Sequence, residues 1–207
     1  MTYDEGYIKY ESVWAPGPPP AAAVAEELDR WRHELFSLGL IGYDDHHEVG
    51  YGNISVHANQ PGQFFISGTQ TGHLEQTDRS HYTLVTSCDI ETNRVHCCGP
   101  VEASSEAMTH AAIYRVNLGI RAVVHVHSDD LWNNTRDVLP TTNPAVAYGT
   151  PAMAEEFRRL YIHGDLANIG IAVMAGHPGG LISIGGTLEQ ASTRILNLAR
   201  RSAPARD

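Results

Sequence analysis

Residues 122–132 read A-V-V-H-V-H-S-D-D-L-W and set two imidazoles one residue apart at the end of an apolar run. Along a β-strand side chains alternate faces, so His125 and His127 look the same way, opposite to Val124 and Val126. Same-face neighbours on a strand lie about 7 Å apart, close enough for two rings to converge on one ion. The pair asks for a third donor, and the sequence offers His177 in A-V-M-A-G-H-P-G-G-L-I, a glycine-rich turn directly after another apolar run. Three histidines with a fourth position open are the ligand set of a catalytic rather than a structural zinc. With 12 histidines in the chain, H-x-H alone is a modest signal, and His73 and His81 carry none.

A second chemistry-bearing stretch is E-A-S-S-E-A-M at 102–108. Ser104 or Ser105 offers an N-cap to a helix over about 106–117, whose free N–H groups and positive dipole end make an anion site. Glu106, one residue inside, reads as a first-turn carboxylate that could move a proton to and from carbon beside a metal. V-G-Y-G-N-I-S-V (49–56) and I-S-G-T-Q-T-G (66–72) are glycine-rich turns beside strands, rich in neutral donors, of the kind that cradles a phosphate. Each of these also has a plain reading as a helix cap or a hairpin turn.

These residues need a scaffold. Val24, Leu28, Trp31, Leu35 and Leu38 form the stripe of a helix ending near Gly39. Short strands are expected at 53–57, 63–67 and 94–98, then 121–127, 169–175 and 181–184. Helices are expected after Ser128, after Thr150-Pro151, and after Thr187, whose pairing with Gln190 makes a capping box. Interspersed helices and strands without an internal repeat point to α/β layers. Residues 1–20, ending in A-P-G-P-P-P, read as an irregular arm, 21–202 as one domain, and 203–207 as a flexible tail. D-D-H-H-E at 44–48 suits a solvated loop rather than a second metal site.

A chain of 207 residues can bury a full core without disulfides or a structural metal. The formal charge of -10 disfavours nucleic acid and anionic membrane as partners. It also repels an anionic substrate, which would need dedicated donors. Three cysteines without C-x-x-C spacing, no apolar leader and no run of 18 apolar residues lead us to expect a soluble, cytoplasmic protein.

In order along the chain, G-N-I-S, T-G, A-S-S-E, H-V-H-S and G-H followed by G-L-I resemble the class II aldolase/adducin family, which includes the zinc-dependent fuculose-phosphate and ribulose-phosphate enzymes. The resemblance spans about residues 24–200. It implies a three-layer α/β/α sandwich around a central, mostly antiparallel sheet, assembled as a homotetramer with sites at subunit interfaces. By position, His125, His127 and His177 match the metal ligands, for Zn2+ or another divalent ion such as Mn2+, Co2+ or Fe2+. Glu106 matches the acid/base carboxylate. Asn53, Thr71, Gly72, Ser104 and Ser105 match the substrate phosphate-binding donors, and Tyr148 is the loose match to a catalytic tyrosine supplied by a neighbouring subunit.

The function so implied is a metal-dependent lyase of carbohydrate metabolism. It would cleave a C–C bond in a small hydroxy-ketone, a phosphorylated sugar or sugar-like metabolite, through a metal-stabilised enediolate. Epimerisation, dehydration and decarboxylation use the same apparatus, and a non-catalytic adducin-like assembly domain or a three-histidine zinc hydrolase are the readings from other classes. Two departures bear on the substrate: P-G-G-L-I follows His177 where G-L-I is usual, and the S-G-T-Q-T-G loop is longer than the aldolase form.

Overall fold

The computed structural model describes residues 6–202. In chain order the strands are β1 (Glu11–Pro16), β2 (Gly42–Asp44), β3 (Val49–Tyr51), β4 (Asn53–His57), β5 (Phe64–Ser67), β6 (Tyr82–Asp89), β7 (Arg94–Gly99), β8 (Ala122–His127), β9 (Ile171–Val173) and β10 (Gly180–Gly185). The helices are α1 (Ala22–Ser37), α2 (Ala107–Val116), α3 (Asp129–Thr135), α4 (Pro151–His163), α5 (Leu166–Ile169) and α6 (Leu188–Ser202). Eight strands form one sheet in the order β1-β7-β6-β5-β4-β8-β10-β9, and β2 pairs with β3 as a separate hairpin. Among these strands only the β1–β7 pairing is parallel, so the sheet is mixed and mostly antiparallel.

Strand β8 lies inside the sheet between β4 and β10, which explains its unbroken apolar run: both of its faces are covered. Ala122, Val124 and Val126 pack with Leu28 and Leu35 of α1, Leu131 of α3 and Ile195 of α6. Val123 packs on the opposite side with Met108 and Ile113 of α2, Phe157 of α4 and Leu166 of α5. Two apolar clusters separated by one sheet make three layers, α/β/α, as the resemblance implies. His125 shares the face of Val123, so the imidazoles look toward α2 and α4. Among the described residues no helix is long and apolar enough to cross a membrane.

Local signals act as expected at several ends. Ser128 accepts the Leu131 N–H at the start of α3, and Thr150 accepts the Met153 N–H ahead of Pro151 in α4. At α6, Thr187 accepts the Gln190 N–H and the Gln190 side chain returns to the Gly186 N–H. Helix α2 differs from its expected form: Glu106 itself is the N-cap, and Ser104 Oγ accepts the Glu106 N–H at 3.3 Å. Neither serine is therefore the capping residue, because the chain is still extended at 104, where the Ser104 N–H donates to the Ser67 carbonyl.

The largest departure is the arm. Residues 1–5 and the tail 203–207 lie outside the described residues, and 6–10 are irregular as expected, but 11–16 are not. Residues 11–16 add β1 to the edge of the sheet, and Pro16, which has no N–H to donate, ends that edge strand. Tyr10 is buried in the α2-side core and donates its phenol proton to the Ser104 carbonyl at 2.8 Å. Tyr10→Phe is expected to cost about 1 kcal/mol, seen as a lower urea midpoint at unchanged slope. An unchanged midpoint would place the arm outside the cooperative unit.

Candidate metal centre and anion cleft

His127 Nε2 lies 3.0 Å from both His125 Nε2 and His177 Nε2. Donor atoms of all three residues fall within 4.8 Å of one another. Nitrogen atoms around a tetrahedral zinc are about 3.3 Å apart, given Zn–N bonds of about 2.0–2.1 Å, so the spacing suits a shared ion. His125 Nδ1 faces the Leu181 carbonyl at 3.1 Å. Donation there leaves its Nε2 as a bare lone pair pointing inward. Burial drives the pKa of His125 down to about 4 and those of His127 and His177 well below the ordinary imidazole value. Neutral imidazole is the ligand form. Three inward lone pairs repel one another, and a common cation relieves that repulsion, so the donor set fits a divalent metal.

The backbone is shaped to admit these rings. Gly180 stands opposite His127 in the β8–β10 pairing. A Cβ there would come within 2.6 Å of the His177 ring and 3.3 Å of His125 Cε1. The glycine of G-L-I thus supplies the one residue type that leaves room for two ligands. Tyr148 packs its ring 4.3 Å from that of His177, and Tyr51 sets its ring 5.7 Å from that of His127. Within the chain, then, an aromatic ring stands beside each of these two histidines. Tyr148 Oη is held by the Tyr7 peptide, accepting from its N–H and donating to its carbonyl at 3.3 and 3.4 Å.

Glu106 completes the cluster from the start of α2. One carboxylate oxygen lies 3.6 Å from His177 Nε2 and 3.9 Å from His125 Nε2. The residue is 2% exposed, and neither oxygen has a hydrogen-bond partner of ordinary geometry among the described residues. Burial pushes this carboxyl up to about 7, against the pull of the Thr109 hydroxyl and the Lys9 ammonium. A buried carboxyl that can hold or release a proton near neutrality is suited to proton transfer at carbon.

Asn53, Thr71, Gly72, Ser104 and Ser105 line one narrow cleft together with Gly50, Gly52 and residues 68–70. The structure therefore gathers all five expected phosphate donors. Asn53 also stands opposite His125 in the β4–β8 pairing, and Ser105 precedes Glu106, so cleft and triad share a border. Thr71 Oγ1 already donates to the Gly68 carbonyl, leaving backbone N–H groups as the main donors of that loop. Glycines make the loop possible: a Cβ at Gly72 would strike the Gly42 carbonyl and come within 2.7 Å of Gly50 Cα. The 44–48 segment is the tip of the β2–β3 hairpin, where His47 pairs with Asp44 at 2.7 Å.

Three features escaped the sequence reading. Arg32 is buried on the apolar face of α1 and donates to the Thr71 carbonyl at 2.8 Å and the Gly72 carbonyl at 3.3 Å, holding the loop from behind. Its position four residues after Leu28, within the buried stripe, was the available signal. His110, one helical turn beyond Glu106, meets Ser55 Oγ at 2.7 Å, and Ser55 meets Tyr114 Oη at 2.7 Å, tying α2 to β4. The arm brings Gly6 to the cleft and Lys9 to Tyr148.

Residues 38–203 match the family model described as the class II aldolase and adducin N-terminal domain. No curated protein matches the sequence. Among solved structures, the chain is similar to YgbL of Klebsiella pneumoniae, for which aldolase, epimerase and decarboxylase stand as alternatives, at 18% identity and a TM-score of 0.65 over 87% of this chain and 86% of that one. It is also similar to L-fuculose-1-phosphate aldolase of Thermus thermophilus, at 19% identity and a TM-score of 0.63 over 88% and 92%. A sugar-phosphate aldolase of Thermotoga maritima follows at 15% identity and 0.62 over 85% and 90%. At such identities these likenesses speak to the fold.

Gly180→Ala is expected to abolish metal uptake, measured by elemental analysis after loading and desalting, because the added methyl displaces His177. Glu106 gives a pH signature in metal-free protein. Its folded value of about 7 lies above the ordinary 4.5, so its contribution to stability is full below 4.5 and is lost as pH rises through 7. The loss is on the order of 3 kcal/mol at pH 8, since each tenfold change in proton binding is worth about 1.4 kcal/mol. In chelator, Glu106→Gln should therefore equal wild type near pH 4.5 and exceed it at pH 8 in urea unfolding. A gap independent of pH would remove the buried ionisation as its cause.

Proposed function

The chain belongs to the class II aldolase and adducin family, and from that premise we propose that it is a divalent-metal-dependent lyase cleaving a C–C bond in a small phosphorylated hydroxy-ketone. The observation that carries the reading is the convergence of three neutral imidazoles beside a buried carboxylate. A scaffold domain has no use for that cluster, which is costly to bury empty. A hydrolase would need no anion cleft bordering it.

His125, His127 and His177 would hold the ion, zinc being the first choice for three imidazoles. Such an ion supplies Lewis acidity toward a carbonyl and its neighbouring hydroxyl oxygen. The cleft donors and the start of α2 anchor the remote phosphate and so orient the reacting end. In the cleavage direction the hydroxyl on the far side of the breaking bond gives up its proton and becomes the aldehyde. The bonding pair stays on the carbon beside the carbonyl as an enediolate, and Glu106 delivers a proton to that carbon. In the synthetic direction Glu106 takes that proton back. We assign the proton at the aldehyde oxygen to Tyr148, whose Oη exchanges its partner at Tyr7 for the substrate. The tyrosine and aromatic walls limit water, which would otherwise quench the carbanion. We place the enzyme in the cytoplasm as a homotetramer, in line with the family resemblance.

The test is a screen of phosphorylated ketoses for aldehyde release with and without chelator. Wild type is expected to be chelator-sensitive, and His125→Ala to lose its metal; equal metal in both would refute the ligand assignment. Glu106→Gln should keep the metal and slow proton exchange on dihydroxyacetone phosphate by about 10²–10⁴-fold. Undiminished exchange would take Glu106 out of the mechanism.

A further inference from the structure

Helix α1 carries a charge inside its buried stripe. Arg32 is 1% exposed, between Leu28 and Leu35, which are fully buried. The hydrogen bonds it makes go to two carbonyls: Nη2 donates to Thr71 at 2.8 Å and to Gly72 at 3.3 Å, while Nη1 meets no acceptor among the described residues. The carboxylate whose charge it feels, Asp29 one turn earlier on α1, is bonded instead by the Tyr82 hydroxyl at 2.6 Å and by Thr77. A peptide group is planar and, throughout the described residues, trans, so its C=O and N–H point opposite ways. Arg32 therefore grips the oxygens of two successive peptides and turns their N–H groups, those of Gly72 and His73, away from α1. Both nitrogens lie beside Gly50, which lines the cleft together with Gly72: a Cβ built at Gly50 would come within 3.0 Å of Gly72 N and 3.7 Å of His73 N. Among the described residues neither N–H donates to a carbonyl, whereas the Thr71 carbonyl takes a second proton from the Leu74 N–H at 3.1 Å.

We infer that Arg32 is a positioning residue of the anion cleft: from the core side it aims the Gly72 and His73 N–H groups at the phosphate and strengthens them with its charge, through the two peptides it holds. The inference rests on the proposed reading in that the cleft must receive the substrate's phosphate. A cation on a carbonyl oxygen draws electron density toward it and makes the N–H of the same peptide a better donor, an effect that is larger where water is excluded. Arginine suits the place because it keeps its charge when buried, where a lysine would readily lose its own. A buried guanidinium without a bonded carboxylate is costly by itself. An anion on the far side of the same peptides offsets part of that cost, so Arg32 and the ligand stabilise each other. A cleft lined by neutral groups, in a chain of net charge -10, thereby has a cation behind its backbone wall.

The test follows ¹H–¹⁵N signals of the metal-loaded full chain while inorganic phosphate is added at constant ionic strength. The Gly72 and His73 amide protons are expected to move downfield saturably. The Arg32 guanidinium signals, protected from exchange by burial, should move along the same curve. Arg32→Gln keeps a neutral N–H donor and loses the charge; it should weaken phosphate binding by about tenfold or more, the loss of one charge-assisted contribution, with metal content at the wild-type level. Arg32→Lys keeps the charge without the planar fork and should recover part of the affinity. A role confined to propping the loop predicts equal losses in the two variants, and that result overturns the inference. So does wild-type affinity in Arg32→Gln. If neither variant folds, the wild-type signals decide alone: a Gly72 response with the Arg32 guanidinium unmoved overturns the inference, and a shared curve upholds it. No response at Gly72 overturns it together with the anion cleft. Coupled Gly72 and Arg32 responses without aldehyde release from any ketose sink the lyase reading and uphold this one.

Discussion

Burying ionisable groups without water is the constraint around which this molecule is built. Three imidazoles and a carboxyl occupy one pocket, nearly all of it closed to solvent. Each would be better solvated outside, and the pocket is tolerable only because burial keeps the imidazoles neutral and the carboxyl readily protonated. A cation placed among them reverses the balance, since lone pairs that repel one another become ligands. The stability of the pocket and its chemistry therefore depend on the same two variables, protons and a cation.

Precision in that pocket comes from rigid elements meeting at backbone distance. β8 supplies two ligands by strand alternation, and β10 presses against it through Gly180 so that His177 can turn inward. α2 begins where the chain leaves an extended stretch beside Ser67, which sets Glu106 at the helix tip. Gly42, Gly50 and Gly72 bring the hairpin and the Thr71 loop together closely enough to form a cleft, and Arg32 fixes that loop from the core side. Side chains there are few because the backbone itself makes the surface.

Much of this was legible in the sequence because it depends on local rules. The period of β8 put His125 and His127 on one face, caps at Ser128, Thr150 and Thr187 marked helix starts, and the glycine clusters marked the close approaches. What stayed hidden depends on pairing between distant segments. Strand β6 carries Thr83, Thr86 and Ser87 among its apolar residues and so blurs the alternation that identifies strands. The arm looked irregular because its prolines dominate its composition. Only the distant β7 edge turns 11–16 into a strand, a non-local gain that propensity does not register. Tyr148 could be named but not placed, since its contact with His177 is fixed by the loop before α4.

Charge has to be matched between this chain and the ligand proposed for it. Neutral donors in the cleft can bind an anion through dipoles, but they do little against the field of a chain with ten excess negative charges. A divalent ion on three neutral imidazoles would set positive charge at the border of the cleft, in surroundings where Coulomb attraction is stronger than in water. An acidic protein would thus bind an acidic substrate by local dipoles and a local cation, against the sign of its overall field.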